Sequence, residues 1–282
     1  MTADAQRVLR AVVEYDGTAF AGSQVQQRAR TVQGELEKAL NRLIGERTEV
    51  HLAGRTDAGV HATGQVLAFS CPRDLPRGLG LPELQRRLNA TLPRDLAIRG
   101  LRSARAGFDP RREARRRVYR YRIRTNGAKN PLERHRTLEI DEILDVAAMQ
   151  AAADRMVGKR DFAALGADAR GQTVRTIVDL EVRRRGALVE VRVTANAFLR
   201  RMVRSIVALL IEIGRGRADP PSVDAILAGG ARALHGRVAP PHGLTLERVI
   251  YDRPRKLNTE RSSARRGTMV LNRTNKSESS TT

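Results

Sequence analysis

Tryptophan is absent from this 282-residue chain, and aromatic residues make up only 3% of it. Proteins that stack many single-stranded bases rely on such rings, so a broad stacking platform is excluded. Cys71 is the only cysteine, which excludes a disulfide framework and a cysteine-rich zinc site. The five histidines lack the i, i+4 spacing of a helical metal site, so we expect no metal ion.

Long apolar runs are also missing. No stretch of the chain approaches the length of a membrane span, and the N-terminus has no apolar signal core. We therefore expect no contact with a membrane, and a cytoplasmic location.

Acidic residues are scarce relative to basic ones, at 31 against 52, which gives a formal net charge of +21. Such a surface repels itself unless it binds a polyanion, so nucleic acid is the expected partner. Only 5 of the 52 basic residues are lysines, which leaves 47 arginines. The planar fork of arginine suits phosphate. A GC-rich genome would explain arginine over lysine equally well, but not the excess of base over acid.

The chain reads as two similar halves, each with the order β-α-β-β-α-β. In the first half, the predicted elements are a strand from Leu9 to Tyr15, a helix capped by Thr31, two strands flanking residues 54–60, a helix opened by Pro82, and a strand over 97–102. In the second half, they are a strand over 117–125, a helix from Asp141 with Gly158 at its end, a hairpin of Val178, Leu180 and Val182 turning at Gly186, a helix from Met202 stopped by Gly214, and a strand over 244–251.

Two consecutive ferredoxin-like units predict an α+β fold, with an antiparallel sheet covered by helices on one face. We place an N-terminal half at residues 1–107, which holds the loop around Asp57, and a C-terminal half at 108–252. Residues 253–282 carry eight basic and two acidic groups and few apolar ones. We expect this tail to be disordered.

The most informative stretch runs from Gly54 to Val66, where Asp57 lies among small residues between two strands. Several glycines beside an aspartate and Arg55 let a bulky ligand approach the backbone. An isolated Arg-Thr-Asp would equally suit an Asx-turn with a solvated arginine, but this run is longer than a turn requires. Arg55 either occupies the space of a flipped base, binds its phosphate, or forms a salt bridge within the loop.

Two further segments carry candidate residues. Along 117–124, alternation places Tyr119 and Tyr121 on one face and Arg120 on the other, so the tyrosines are either core residues or a surface for a uracil. In the helix after Asn196, Arg204 interrupts a largely apolar sequence. A semi-buried guanidinium needs a carboxylate partner, and pairing with Asp57 would favour the ionised acid. The alternative is a surface arginine on a polar stripe.

These segments, together with Leu88–Asp95, Phe108–Arg111 and Ala239–Leu244, resemble the TruA family of tRNA pseudouridine synthases over about residues 8 to 252. The resemblance implies the pseudouridine synthase fold and isomerisation of uridine at positions 38 to 40 of the tRNA anticodon arm. It also implies a homodimer with a basic cleft that spans the tRNA. One departure is Ser23, which stands where family members usually have tryptophan.

The resemblance assigns three catalytic residues: Asp57 as nucleophile or base, Tyr119 packed on the target base, and Arg204 as the active-site basic residue. Substrate-binding residues are expected at Gly54, Arg55, Thr56, Gly59, His61, Arg120, Tyr121, Arg200 and Arg201. Because the reaction breaks and remakes bonds to one sugar carbon without redox change or group transfer, it requires no cofactor.

Two other functional classes fit part of the sequence. A non-catalytic RNA-binding protein would explain the charge and the fold, but it gives no reason for Asp57 and Arg204 together. A glycosidase or base-excision enzyme would also cleave an N-glycosidic bond. Such hydrolases generally need a second carboxylate to activate water, and the loop around Asp57 offers none nearby.

Overall fold

The computed structural model describes residues 6–73, 75, 79–127, 129–229 and 238–251. The described residues form one compact unit, and the predicted tail at 253–282 lies outside them. The strands are β1 (Gln6–Tyr15), β2 (His51–Leu52), β3 (His61–Pro72), β4 (Leu96–Ala104), β5 (Arg116–Arg124), β6 (Leu138–Glu139), β7 (Gly158–Asp161), β8 (Val174–Arg185), β9 (Leu188–Ala195) and β10 (Leu244–Ile250). The α-helices are α1 (Val32–Ile44), α2 (Leu81–Thr91), α3 (Val146–Asp154), α4 (Met202–Gly214) and α5 (Ser222–Leu227).

All ten of these strands belong to one sheet. Its order is β4-β1-β3-β10-β5-β9-β8-β7, with β2 paired to β3 and β6 paired to β5. The first half therefore has the order β4-β1-β3-β2, and the second half repeats it as β10-β5-β9-β8. These are the two ferredoxin-like units predicted from the sequence, and the α+β class is confirmed.

The two halves join where β3 meets β10. This pairing is parallel and short, linking His61 to Thr245 and Ala62 to Leu246. Because this pairing and that of β5 with β6 are parallel, the sheet is mixed rather than wholly antiparallel. β2 pairs with the same edge of β3 farther along, at Leu67 and Ala68. The loop between β2 and β3 consequently emerges at the junction of the halves.

Strands such as β1 present one buried row of side chains, whereas the central strand β3 also buries neighbouring residues of both rows, such as Leu67 and Ala68. On β1, Leu9, Ala11, Val13 and Tyr15 are at most 3% exposed, whereas the residues between them are partly exposed. Helix α2 packs on β4, and α3 packs on both β8 and α4. One buried row per strand is the pattern expected of a sheet covered by helices on one face. No helix in the described ranges is long and apolar enough to cross a bilayer.

The predicted start of one helix and the alternation predicted for one strand differ from the structure for identifiable reasons. Helix α3 begins at Val146 rather than Asp141, because the Asp145 side chain caps it by accepting a hydrogen bond from the Ala148 amide. Val178 is 42% exposed because a bulge between Ile177 and Asp179 shifts the alternation of β8. Gly214 is the last residue of α4, so the helix ends where the sequence predicts.

The reason for a glycine at position 214 is close packing. A β-carbon there would approach the Met149 sulfur at 2.8 Å. Gly214 therefore lets α4 pack closely against α3.

Candidate active site

The loop between β2 and β3 is anchored at its first residues. The Ala53 amide donates to the Val66 carbonyl at 2.9 Å. The side-chain amide of Gln65, which is fully buried, accepts from the Gly54 nitrogen at 3.2 Å and donates to its carbonyl at 2.8 Å. Gly54 is thus held on both sides. Gly54 is predicted to bind substrate, and its described hydrogen bonds are to the side chain of Gln65.

Thr56, directly before Asp57, is held by two elements of the first half. Its amide donates to the Ser23 hydroxyl at 2.9 Å, and its carbonyl accepts from the Ser23 amide at 3.1 Å. Its own hydroxyl is 2.8 Å from the hydroxyl of Tyr15. Ser23 is only 1% exposed. The serine that departs from the family's tryptophan therefore fixes the backbone next to the candidate catalytic acid.

The far end of the loop depends on Gly59. Its φ of +78° is a left-handed conformation, and a β-carbon would approach the Pro241 ring at 2.9 Å. The Val60 amide closes the turn by donating to the Asp57 carbonyl at 3.2 Å. A glycine at position 59 consequently allows the loop to pack closely against the segment before β10.

Asp57 and Arg204, 147 residues apart in sequence, meet in an ion pair. One guanidinium nitrogen of Arg204 (Nη1) lies 3.1 Å from Asp57 Oδ2. The Arg204 Nε donates to the Ala239 carbonyl at 2.7 Å, which orients the guanidinium. The Arg204 side chain is 12% exposed and that of Asp57 is 33% exposed. Among the described residues, no donor reaches the other carboxylate oxygen, Oδ1.

Tyr119 interacts electrostatically with Asp57 of this pair. It is 7% exposed, and its ring meets that of Phe198 edge to face, with centroids 5.2 Å apart. Its hydroxyl lies 3.9 Å from the position that a β-carbon on Gly54 would occupy. Burial raises the pKa of Tyr119, and the negative charge of Asp57 raises it further, so the hydroxyl stays neutral. Phe198 packs against the hydrophobic core.

Tyr121 and His61 both contact the segment that precedes β10. Tyr121 is fully buried and donates to the Pro240 carbonyl at 2.8 Å. His61 is 3% exposed, and its Nε2 donates to the His242 carbonyl at 3.1 Å. Its Nδ1 accepts from the Gly17 amide at 3.0 Å. Burial lowers the pKa of His61, and the nearby Asp16 opposes that shift.

Both side chains thus bind the 240–242 segment. The Ala239 carbonyl, which orients Arg204, directly precedes this segment. The sequence predicts that Tyr121 and His61 bind substrate, which stays a prediction; the described hydrogen bonds of their polar atoms are to the protein.

The four arginines predicted to bind substrate divide into two groups. Arg120 lies on the opposite face of the sheet, with nitrogens 3.1 Å from Glu190 and 2.9 Å from Glu247. Arg55, Arg200 and Arg201 are exposed. Within the described part of the chain, no salt bridge forms at Arg55, so the side chain is free to meet an anionic ligand.

Sequence reasoning missed several residues of the site, namely Ser23, Gln65 and Arg117. Gln65 is a polar residue within an apolar strand, which was a usable signal. Arg117 shares the buried face of β5 with the tyrosines, so strict alternation would have identified it. The role of the Ser23 hydroxyl depends on a neighbour 33 positions away and left no local signal.

The arrangement offers one carboxylate with a free oxygen, an adjacent aromatic ring and exposed arginines. Across the described ranges, no group of three or more His, Cys, Asp or Glu could hold a metal ion. The site is therefore suited to attack or proton transfer by a single acid on an anionic, ring-containing substrate.

Comparison with known proteins agrees with this geometry. The family model described as tRNA pseudouridine synthase matches residues 11–106 and 152–252. The chain belongs to the tRNA pseudouridine synthase family. The first matched segment contains Asp57 and the second contains Arg204, whereas Tyr119 lies between them.

Individual tRNA pseudouridine synthases match over most of their length. "tRNA pseudouridine synthase A" of Geotalea uraniireducens is 41% identical over 247 residues, which cover 87% of this chain and 100% of that protein. The protein of the same name from Chloroflexus aurantiacus is 45% identical over 252 residues, covering 87% and 89%. The one from Myxococcus xanthus is 42% identical, covering 86% and 91%.

Proposed function

We propose that this protein converts uridine to pseudouridine at positions 38 to 40 in the anticodon arm of tRNA, with Asp57 as the reacting carboxylate. Family membership makes the chain an isomerase of tRNA uridine. The reaction breaks the C–N bond between the uracil and the sugar and joins the same sugar carbon to C5 of the base. The C5 proton leaves, and the released ring nitrogen gains a proton, so substrate and product have the same composition.

The ion pair between Asp57 and Arg204 carries this proposal. The Arg204 guanidinium, 3.1 Å away, orients the Asp57 carboxylate and balances its negative charge. Because Arg204 contacts Oδ2, the Oδ1 atom is available to the substrate. Attack on the base and attack on the sugar both require one ionised carboxylate at this place.

The target uridine must leave the helical stack to reach Asp57. Tyr119 is adjacent to the carboxylate and offers a ring on which the flipped uracil packs, which contributes about 1–3 kcal/mol per base. The exposed Arg55, Arg200 and Arg201 then bind neighbouring phosphates. A formal net charge of +21 supports a substrate with many phosphates.

The partner is tRNA, bound in a basic cleft between the two subunits of a homodimer. The dimer and the choice of the anticodon arm rest on the sequence resemblance. The cytoplasmic location stays a prediction.

Two other functions are less consistent with the site. A non-catalytic RNA-binding protein would not need an aspartate paired to a semi-buried arginine at the junction of the halves. An N-glycosidase would release free uracil, whereas an isomerase keeps the base on the sugar. Product analysis therefore separates the isomerase from the hydrolase.

The experiment uses tRNA transcripts made with uridine carrying tritium at C5. One transcript keeps uridines at positions 38 to 40, and a second has cytidine there, with the stem pairs restored. We expect tritium to be released to water only from the first transcript, with pseudouridine as product. Equal release from both transcripts would contradict the positional assignment, and release of free uracil would contradict isomerisation.

A further inference from the structure

Arg117 is a buried arginine whose contacts are backbone carbonyls. It is 9% exposed and lies at the start of β5, on the face that carries Tyr119. Across the described residues, no carboxylate contacts it. A buried guanidinium without an acid must be solvated by other acceptors, because leaving it unpaired is costly.

Four carbonyls supply that solvation. One terminal nitrogen (Nη1) donates to the carbonyls of Ala114 at 3.2 Å and Asn196 at 2.9 Å. The other (Nη2) donates to those of Ala53 at 2.9 Å and Arg111 at 2.8 Å. The two terminal nitrogens carry four N–H groups, so all four terminal donors of the guanidinium are used.

Two of these acceptors belong to segments that form the active site. Ala53 is the residue before Gly54, where the loop containing Asp57 starts. Asn196 begins the segment that leads into α4 and Arg204. Arg117 itself lies two residues before Tyr119. One side chain thus links the backbones that carry all three candidate catalytic residues.

The acceptors are themselves fixed. The Asn196 amide donates to the Thr176 carbonyl at 3.1 Å, and its side-chain oxygen accepts from the Thr176 amide at 3.0 Å. Ala53 is hydrogen-bonded to Val66 of β3. A contact between two anchored backbones sets their separation, whereas a contact between mobile loops would not.

We infer that Arg117 is a positioning residue for pseudouridine formation, which sets the distance between the loop of Asp57 and the segment leading to Arg204. The inference rests on the proposed role of Asp57. Lysine cannot replace Arg117 in this function, because its three donors radiate from one nitrogen and do not span four carbonyls around a planar fork.

The test compares Arg117→Lys with the parent under single-turnover conditions, with enzyme in excess over tritiated tRNA. Only tRNA-bound enzyme contributes to the rate constant, so a partly unfolded sample does not distort it. We expect the rate constant to fall about tenfold to a hundredfold, as displacement of a reacting group does. The Kd for tRNA should stay within about twofold, because Arg117 is buried.

Arg215→Lys is the matched control. Arg215 is a semi-buried arginine beyond the far end of α4, paired with Glu142 and Glu212 at 3.0 Å each. This substitution should lower the Tm as Arg117→Lys does but leave the rate constant within about twofold of the parent. If Arg117→Lys does not fold, Arg117→Gln, which keeps two donors, takes its place in the same assay.

Two results would overturn the inference: an unchanged rate constant in the folded Arg117 variant, or an equal loss in Arg215→Lys. Asp57→Asn in the same assay separates this failure from that of the proposed function. If Asp57→Asn is inactive while the Arg117 variant keeps the parent's rate constant, only the role of Arg117 is wrong. If Asp57→Asn is active, the assignment of Asp57 fails first.

Discussion

Two aspartate–arginine pairs in this protein have opposite geometries. Arg30 and Asp95, both in the first half, form a bidentate pair. Each of the two terminal nitrogens of Arg30 lies 2.8 Å from a different carboxylate oxygen of Asp95. Asp57 and Arg204 join the two halves through one contact of 3.1 Å, and the remaining nitrogen contact of Arg204 goes to a backbone carbonyl. The first pair uses both carboxylate oxygens of the acid, whereas the second leaves one unused.

This difference separates a structural role from a chemical one. A carboxylate whose two oxygens both accept hydrogen bonds from one guanidinium is satisfied, and it gains little by meeting a substrate. A carboxylate held at one oxygen is oriented but can still react at the other. The geometry of the pair is therefore more informative than its existence.

The arginines provide the largest contrast. Arg204→Gln should lower the rate of pseudouridine formation about tenfold to a hundredfold, the size of one hydrogen bond to a charged group at about 1.5–3 kcal/mol. Arg30→Gln should leave the rate within about twofold and lower the free energy of unfolding by about 1 kcal/mol. Single-turnover tritium release and urea unfolding measure the two effects. Equal rate losses in both variants would remove the distinction between the pairs.

The aromatic ring beside each pair provides a second, smaller contrast. Tyr119 lies next to Asp57, whereas the guanidinium of Arg30 stacks over the Phe20 ring at 4.1 Å. Tyr119→Leu should slow the reaction about tenfold through loss of stacking on the uracil, and Tyr119→Phe should keep most of the activity. Phe20→Leu should reduce only stability. A Tyr119→Phe variant as slow as Tyr119→Leu would show that the hydroxyl, not the ring, is what matters.

A third aspartate lies against a histidine, and the change in stability expected from this contact is the smallest of the three effects. His61 Nδ1 lies 3.2 Å from Asp16 Oδ1. Because burial lowers the pKa of His61, the unfolded chain binds more protons below the ordinary pKa of about 6.5. The stability that neutral His61 contributes is therefore present above that pH and is lost as the pH falls toward the folded pKa.

Urea unfolding at pH 7.5 and pH 5.5 tests this sign. We expect the parent to lose about 1 kcal/mol at most over this interval, and His61→Gln to lose less. Burial also lowers the pKa of His242, so His242 accounts for the loss of stability that remains in the His61→Gln variant. Asp16 does not contribute in this window, since its pKa lies below its ordinary value. Greater stability at pH 5.5 would contradict the lowered pKa.

Local patterns predicted much of the fold. Alternating apolar residues identified β1, β5 and β9 and the row of side chains that each one buries. The cap at Thr31 was also found, and its side chain accepts from the Gly34 amide at the start of α1. These features depend on residues within a few positions of one another, which a single sequence displays.

Features that depend on tertiary contacts could not be read in the same way. The bulge at Val178, the parallel pairing of β3 with β10 and the Ser23–Thr56 hydrogen bonds each require knowledge of a distant backbone. The pairing of Asp57 with Arg204 was predicted because Arg204 is a charged residue within a largely apolar helix, and because the chain resembles a known family. Neither source indicated that only one carboxylate oxygen would be used.

The most direct test of the account compares Asp57→Asn with Asp95→Asn in the C5-tritium release assay. Each variant replaces one carboxylate of an aspartate–arginine pair with an amide of the same shape. We expect Asp57→Asn to bind tRNA but to lose at least about a thousandfold in rate, and Asp95→Asn to retain the parent's rate within about twofold. Full activity in Asp57→Asn, or an equal loss in Asp95→Asn, would contradict the assignment of Asp57 as the reacting group.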